Sequence, residues 1–169
     1  MTIYFGDGTN VSTAPGGGLF GSYAILWQKE NSGTHGGSAA TSWTARHLNH
    51  EHADPDGIVS LSSYTFTLQA GSYCFRFGGA GYDLNFDLML RIRNTSDNTT
   101  VCLSGPGSGP GYSDANGWGY GVGRTTISGA KNFQLQQRDD NDRGTWGRGY
   151  AGGLGSYEVW AICEIFKEA

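Results

Sequence analysis

Apolar and polar residues alternate in two consecutive runs of the segment 61–77, and Ala70-Gly71 separates the runs. Side chains of a strand point alternately to opposite faces, so each run predicts a strand with one buried face and one polar face. Two such runs joined by a short break that contains glycine are typical of antiparallel neighbours in one sheet. The positions predicted to be buried are Tyr64, Phe66, Leu68, Tyr73, Phe75 and Phe77.

The same alternation recurs along the chain between turns rich in glycine, and no segment shows a helical period over the ~10–12 residues that identify a helix. We predict the polar segment 49–57 and the Gly-rich segment 105–123 to be loops. About eight to ten strands separated by glycine turns indicate an all-β, antiparallel sandwich or jelly roll. The remaining predicted strands are 22–29, 43–48, 58–60, 84–93, 99–104, 124–127, 132–138 and 156–167.

The first and last predicted strands differ from the others because they carry apolar residues on both faces. In 22–29, Ala24 and Leu26 lie opposite a row of larger side chains, and 156–167 has the same two-faced pattern. A strand that is apolar on both faces must be covered on both, whereas one sandwich covers only the inner face of each sheet. We therefore predict a homo-oligomer whose interface contains both strands; the alternative is that long loops fold over this face. The predicted interface residues are Tyr23, Ile25, Trp27, Trp160, Ile162 and Phe166.

Length, charge and cysteine content narrow the classes of protein to which the chain can belong. A chain of 169 residues suits one folded domain, which we place at 21–169 after an N-terminal arm at 1–20. The formal net charge of −4 provides no basic surface, and no apolar run approaches the ~20 residues of a membrane span. We therefore expect no nucleic-acid partner and no membrane insertion. The three cysteines lack metal-ligand spacing, so we predict free thiols made in a reducing compartment.

Glycine is the compositional outlier, with 29 residues, and aromatic residues stand among the glycines of 105–123 and 144–155. Exposed aromatic rings on loops can stack on sugar rings or anchor a protein partner. The alternative is that these rings fold back over the sandwich or pack against a neighbouring subunit, since glycine permits tight turns. The candidate ligand-binding residues are Tyr112, Trp118, Tyr120, Trp146 and Tyr150.

The order of motifs over residues 22–169 resembles the C1q/TNF-like jelly roll, and more closely the small C1q-like proteins of marine tailed phages, especially cyanophages. The jelly-roll signature is an aromatic strand, a glycine turn and a Gly-x-Tyr-x-Phe strand. It matches this chain at Phe66, Leu68, Gly71, Tyr73 and Phe75. The segments that resemble the phage proteins are 44–49, 54–63, 66–73, 88–95 and 164–169.

This resemblance implies a non-enzymatic homotrimer with its terminal strands near the threefold axis, at the surface of a virion. Such a module would decorate or cap the capsid, or form a fibre tip, with a host-surface glycan or protein as a further candidate partner. The opening residues resemble the start of phage virion proteins, in which a short arm docks onto another virion component; the predicted docking residues are Ile3, Tyr4 and Phe5. The alternative function is a carbohydrate-binding module that uses the loop aromatics.

The histidine-rich segment 47–52 is the candidate for a metal site. His50 and His52 would project to one side of an extended segment, and with Asp54 they could bind zinc or nickel. We favour the alternative of a polar surface loop, and we predict no cofactor. The sequence has neither a Gly-x-Ser-x-Gly elbow nor a phosphate-binding loop, so we predict no enzymatic activity.

Overall fold

The computed structural model describes residues 3–4, 10–11, 19–82, 87–108 and 116–169. Within these ranges every strand pairing is antiparallel and no residue is helical, which confirms the all-β, antiparallel prediction. The described residues accordingly contain no helix of the length and apolar character that crosses a membrane. The strands are β1 (Ile3–Tyr4), β2 (Asn10–Val11), β3 (Phe20–Asn31), β4 (Thr44–Ala45), β5 (His50–Ala53), β6 (Val59–Ser62), β7 (Thr65–Leu68), β8 (Gly71–Tyr82), β9 (Asp87–Asn94), β10 (Thr99–Leu103), β11 (Gly107–Ser108), β12 (Asn116–Ile127), β13 (Lys131–Asp139) and β14 (Tyr157–Glu168).

Two sheets enclose one core, and the chain crosses between them at most of its connections. The five-stranded sheet has the order β12-β8-β14-β3-β5. The seven-stranded sheet has the order β10-β9-β13-β7-β6, with β11 also paired to β9 and β4 also paired to β13. The last strand, β14, lies between β8 and the first long strand, β3. Both ends of the predicted domain therefore meet in the middle of one sheet.

The core lies between the sheets and is built from the alternating rows that the sequence predicts. Phe66, Phe75 and Phe133 are fully buried, with ring centroids 5.7, 5.9 and 6.3 Å apart. Aromatic pairs at these separations stabilise the fold by more than the burial of their apolar surface alone. All three cysteines are free thiols, as predicted. The other core residues include Leu26, Leu68, Tyr73, Phe77, Leu88, Leu90, Ile92, Leu135, Cys163 and Ile165.

Tyr64 is the exception in the opening alternation, because it lies in a turn and not in the buried row. Ser63 and Tyr64 form the two-residue loop between β6 and β7, with φ values of 48° and 64°. Two-residue hairpin loops of this kind match the right-handed twist of the strands. The Tyr64 side chain is 41% exposed. Patterning missed the turn because Ser-Tyr replaces the Asn-Gly or Asp-Gly pair that signals such a loop.

The segment 105–123, predicted to be a loop, contains β11 and most of β12, so that prediction was wrong. In β12, glycine occupies every second position from Gly117 to Gly123, and Gly119, Gly121 and Gly123 lie against core or facing-sheet residues. A Cβ atom at Gly119 would overlap Leu88, and the neighbouring glycines are equally crowded. Because the core-facing row has no side chains, the strand shows no apolar alternation in the sequence. The polar segment 49–57 likewise contains a strand, β5, which pairs with β3.

Candidate self-association surface

The outer face of the five-stranded sheet carries apolar and aromatic side chains. Alternate residues of its strands point outward because their neighbours, such as Leu26, Phe75 and Cys163, fill the core. The antiparallel register arranges the outward residues in three rows that cross the sheet, and we call these rows together the aromatic face. The first row is Tyr120, Gly78, Ile162, Trp27 and His50; the second is Val122, Arg76, Glu164 and Ile25; the third is Arg124, Cys74, Phe166 and Tyr23.

Large side chains on this face remain open to solvent. Val122 is 54% exposed, Tyr120 49% and Tyr23 41%. Trp27 and Ile162, in the middle of the sheet, are half-buried. Single exposed apolar residues are ordinary, but a contiguous exposed patch marks an interaction site. The structure therefore places five of the six predicted interface residues on one surface: Tyr23, Ile25, Trp27, Ile162 and Phe166.

Two charged pairs interrupt the aromatic face, Arg124 with Glu168 at the third row and Arg76 with Glu164 near the centre. Arg76 Nε donates a hydrogen bond to the Tyr120 hydroxyl at 3.0 Å and lies 3.4 Å from the Glu164 carboxylate. The Tyr120 hydroxyl, followed by the Glu164 carboxylate, raises the pKa of Arg76. A cavity of about 130 Å³ opens beside the Arg76–Glu164 pair, between Tyr120 and Ile162. Its wall includes Trp118, whose indole lies over Gly78 where a Cβ atom would collide with it.

The sixth predicted interface residue, Trp160, is covered by the chain itself. Its side chain is only 6% exposed. The indole Nε1 donates a hydrogen bond to the Thr34 carbonyl at 3.0 Å, and the ring packs on Gly149. The register between β14 and β3 shifts here, because Val159 and Ala161 face consecutive residues of β3. The prediction for Trp160 was wrong: a loop covers this end of the sheet, which was the alternative to a subunit contact.

Two histidines pack around Trp27, His50 in the first row of the aromatic face and His52 beside it. The His52 ring stacks on Trp27 with centroids 3.6 Å apart, and His50 lies 5.9 Å from the same indole. Both carboxylate oxygens of Asp54 accept backbone N–H groups, from Ile58 and Val59, at 2.9 Å. Among the described residues, no three His, Cys, Asp or Glu side chains are grouped to hold a metal ion. Asp54 therefore caps a turn, and the histidines take part in aromatic packing.

The four described residues of the predicted ligand-binding loop set belong to two elements, β12 and the 144–155 loop. Trp118 and Tyr120 belong to β12 and line the cavity beside the aromatic face. Trp146 and Tyr150 lie in the 144–155 loop and pack on Tyr82, with centroids 5.6 and 4.8 Å apart. Tyr112 lies outside the described residues. The second pair is thus part of a loop that folds back on the sandwich.

The docking prediction for the N-terminal arm falls mostly outside what the structure describes. Ile3 and Tyr4 form β1, which pairs with β2, and Phe5 lies outside the described residues. Docking by this arm stays a prediction.

Sequence reasoning missed a buried polar network at one end of the core. Arg46 is fully buried and donates to the Gln137 side chain at 2.7 Å and to the Ala80 carbonyl at 3.0 Å. Arg148, also buried, donates to the Ala45 carbonyl at 2.8 Å and thereby ties the 144–155 loop to β4. Burial raises the pKa of the nearby Asp139 to about 6. No pattern in the sequence distinguishes these arginines from solvated ones.

Comparisons with known proteins identify the fold. No family model and no curated protein matches the chain. The globular domain of zebrafish complement 1qA superposes with a TM-score of 0.55 at 14% identity, covering 86% of this chain and 96% of that one. Eiger TNF from S. frugiperda gives 0.53 at 11% identity, with 88% and 92% covered. Murine APRIL at pH 5.0 gives 0.51 at 10%, with 86% and 98% covered. The chain therefore has the jelly-roll fold of C1q and TNF domains, as its motifs predicted.

Proposed function

We propose that this chain is a non-enzymatic structural protein that associates into a homotrimer through the aromatic face. The observation that carries the proposal is the set of outward apolar side chains of the aromatic face, such as Trp27, Ile162 and Phe166, at the middle of the five-stranded sheet, where both terminal strands meet. Removing apolar surface from water contributes ~25 cal/mol per Å², so a surface of this kind favours a partner. A second copy presents a matching surface, and the motif resemblance to C1q-like phage proteins favours three copies around an axis.

Light scattering of the purified chain tests this proposal, with an expected mass of three chains. Ile162→Glu places an unpaired charge between Gly78 and Trp27, in the middle of the aromatic face, where burying it costs several kcal/mol. This variant should run as a monomer that keeps the β-sheet signal of the wild type. Leu103→Glu is the matched control, because Leu103 is 49% exposed on the other sheet; it should leave the mass unchanged. A wild-type mass for Ile162→Glu refutes the proposed interface.

We propose further that the trimer sits at the surface of a phage virion, joined to it by residues 1–20. The support is the motif resemblance, together with the start of β3 at Phe20, which makes residue 20 the boundary between this arm and the sandwich. Deleting residues 2–18 should give a folded trimer that no longer enters particles, as measured by mass spectrometry of purified virions. Loss of the trimer itself in that deletion would contradict the arm's role as an anchor.

A carbohydrate-binding module is the second candidate function. It is favoured by the 45% exposure of Trp118 and by the small cavity beside it. Glycan-array binding that disappears in Trp118→Ala but persists in Trp146→Ala, whose ring packs on Tyr82, would support it. Binding unchanged in both variants would argue against it.

A further inference from the structure

A second cleft, of about 440 Å³, opens between β4 and the hairpin of β6 and β7. Three alanines form much of its lining, and its polar walls come from Ser38, Thr44, His47, Tyr64 and Arg148. None of these residues belongs to the five-stranded sheet. The lining of the cleft is therefore distinct from the residues of the aromatic face. The volume of the cleft is in the range of small-molecule sites.

Two stacked rings form one wall of the cleft. The His47 and Tyr64 rings lie nearly parallel, at 16°, with centroids 4.4 Å apart. Tyr64 holds its ring there from a backbone at φ 64°, a conformation that bulky residues rarely adopt. The ring pair provides a flat surface suited to a sugar or another ring.

Hydrogen-bonding atoms along the cleft are available for a ligand. The Ser38 and Tyr64 hydroxyls and the His47 ring nitrogens make no hydrogen bond with any described residue. Arg148 is 2% exposed, and its Nη atoms donate to the Ala45 and Thr44 carbonyls and to the Thr44 hydroxyl. Its contribution to the cleft is therefore the positive charge of a buried guanidinium, and the hydroxyls and ring nitrogens are the atoms open to a ligand.

Positive charge is in excess behind the cleft. The Arg46 and Arg148 guanidiniums are both buried, and the carboxylate acting on both is that of Asp139. Burial, followed by the charges of Arg148 and Arg46, lowers the pKa of His47. An anion in the cleft would offset this field, which is strong because little water screens it.

We propose that this cleft binds the acidic residue of a saccharide, a sugar ring that carries a carboxylate. The ring would lie against the Tyr64–His47 pair, its hydroxyls would bond to Ser38 and Tyr64, and its carboxylate would face the Arg148 end. Charge complementarity and the free polar atoms favour this ligand over a neutral sugar or an apolar molecule.

Three probes separate the two parts of the ligand: D-glucuronate has the ring and the charge, D-glucose has the ring alone, and acetate has the charge alone. Amide chemical shifts of labelled protein should move at 38–47 and 63–64 with glucuronate. Glucose and acetate should each bind at least about tenfold more weakly, the effect of losing one charge-assisted hydrogen bond or one ring contact. Glucuronate should also raise the pKa of His47. Equal affinity for glucuronate and either simpler probe overturns the proposal, as does no shift with any of them at tens of millimolar.

Tyr64→Asn tests the site without risking the fold, because asparagine tolerates positive φ better than tyrosine. The variant should keep the melting temperature of the wild type and bind glucuronate at least about tenfold more weakly. Ser63→Gly is the matched control, since it changes the same turn and keeps the ring; its affinity should equal that of the wild type. Unchanged glucuronate binding in Tyr64→Asn refutes the assignment.

Discussion

The outer faces of the two sheets are built from opposite chemistry. On the seven-stranded sheet, most outward side chains are polar and several bond to one another across strands, whereas on the five-stranded sheet they form the aromatic face. The cross-strand pairs of the first are Arg91 with Gln136 at 2.9 Å, Gln134 with Thr65 at 3.1 Å, and Thr67 with Asn132 at 2.8 Å.

This difference shows which side of the sandwich is complete within a single chain. Polar side chains that satisfy one another and face water need no partner. Apolar side chains on the other face stay in water unless a second surface covers them, which is the reason for proposing self-association there. The covered end at Trp160 shows that the chain closes part of that face with its own loop.

The largest expected effect comes from filling the core side of β12, the strand that carries Tyr120 outward. Gly121→Leu would drive a side chain into Phe77, and we expect it to lose about 3 kcal/mol of unfolding free energy or to fail to fold. Val122→Leu, one residue along on the exposed side, should change stability by less than about 0.5 kcal/mol. Urea denaturation measures both. Equal losses of unfolding free energy in the two variants would contradict the placement of Gly121 on the core side and Val122 on the exposed side.

The next largest effect is a pH dependence of the unfolding free energy, caused by the buried carboxyl group of Asp139 at the polar end of the core. Because the folded-state pKa of Asp139 is raised to about 6 from 3.8, its protonated form stabilises the fold. That stability is present below pH 3.8 and lost as the pH rises through about 6. Relative to Asp139→Asn, the wild type should lose roughly 2–3 kcal/mol of unfolding free energy between about pH 4 and pH 7. Parallel curves for the two proteins would contradict the raised pKa.

Removing one ring from the aromatic face should weaken self-association without unfolding the chain. For Tyr120→Ser we expect a loss of about 2 kcal/mol in association, close to 30-fold in dissociation constant. Gln134→Ser makes a comparable change on the polar face and should have no such effect. Sedimentation equilibrium measures both constants. A similar loss in both variants would remove the distinction between the two faces.

The smallest effect is expected on the polar face. Thr67→Val removes the hydrogen bond to Asn132 and should cost about 0.5–1 kcal/mol of unfolding free energy, because water replaces the lost partner. Thr99→Val is the control, since no hydrogen bond of the Thr99 side chain occurs among the described residues. Thermal unfolding of the two variants checks the difference. A loss above about 2 kcal/mol for Thr67→Val would show that this face is not simply solvated.

The alternation of apolar and polar residues predicted most of the strands of the sandwich and about half of the aromatic face. Alternation identified the buried rows around Phe66 and Phe75, and the two-faced patterns of 22–29 and 156–167 pointed to the outer surface that contains Trp27 and Ile162. It failed at β12, where alternate glycines remove the apolar row, and at β5, whose residues are polar. It also failed at Tyr64, because a hairpin turn without glycine resembles the continuation of a strand.

The sequence by itself determined that this protein is an antiparallel β-sandwich with two terminal strands that are apolar on both faces, because side-chain period is a local property of a strand. Only the tertiary structure decided which outward residues form a surface. Strand order brings β12, distant in sequence, beside β8 and joins Tyr120 to Ile162 and Trp27 in one row. It also decided that a loop buries Trp160, and that Arg148 reaches the cleft beside Tyr64. These contacts link residues far apart in the chain, which no local pattern encodes.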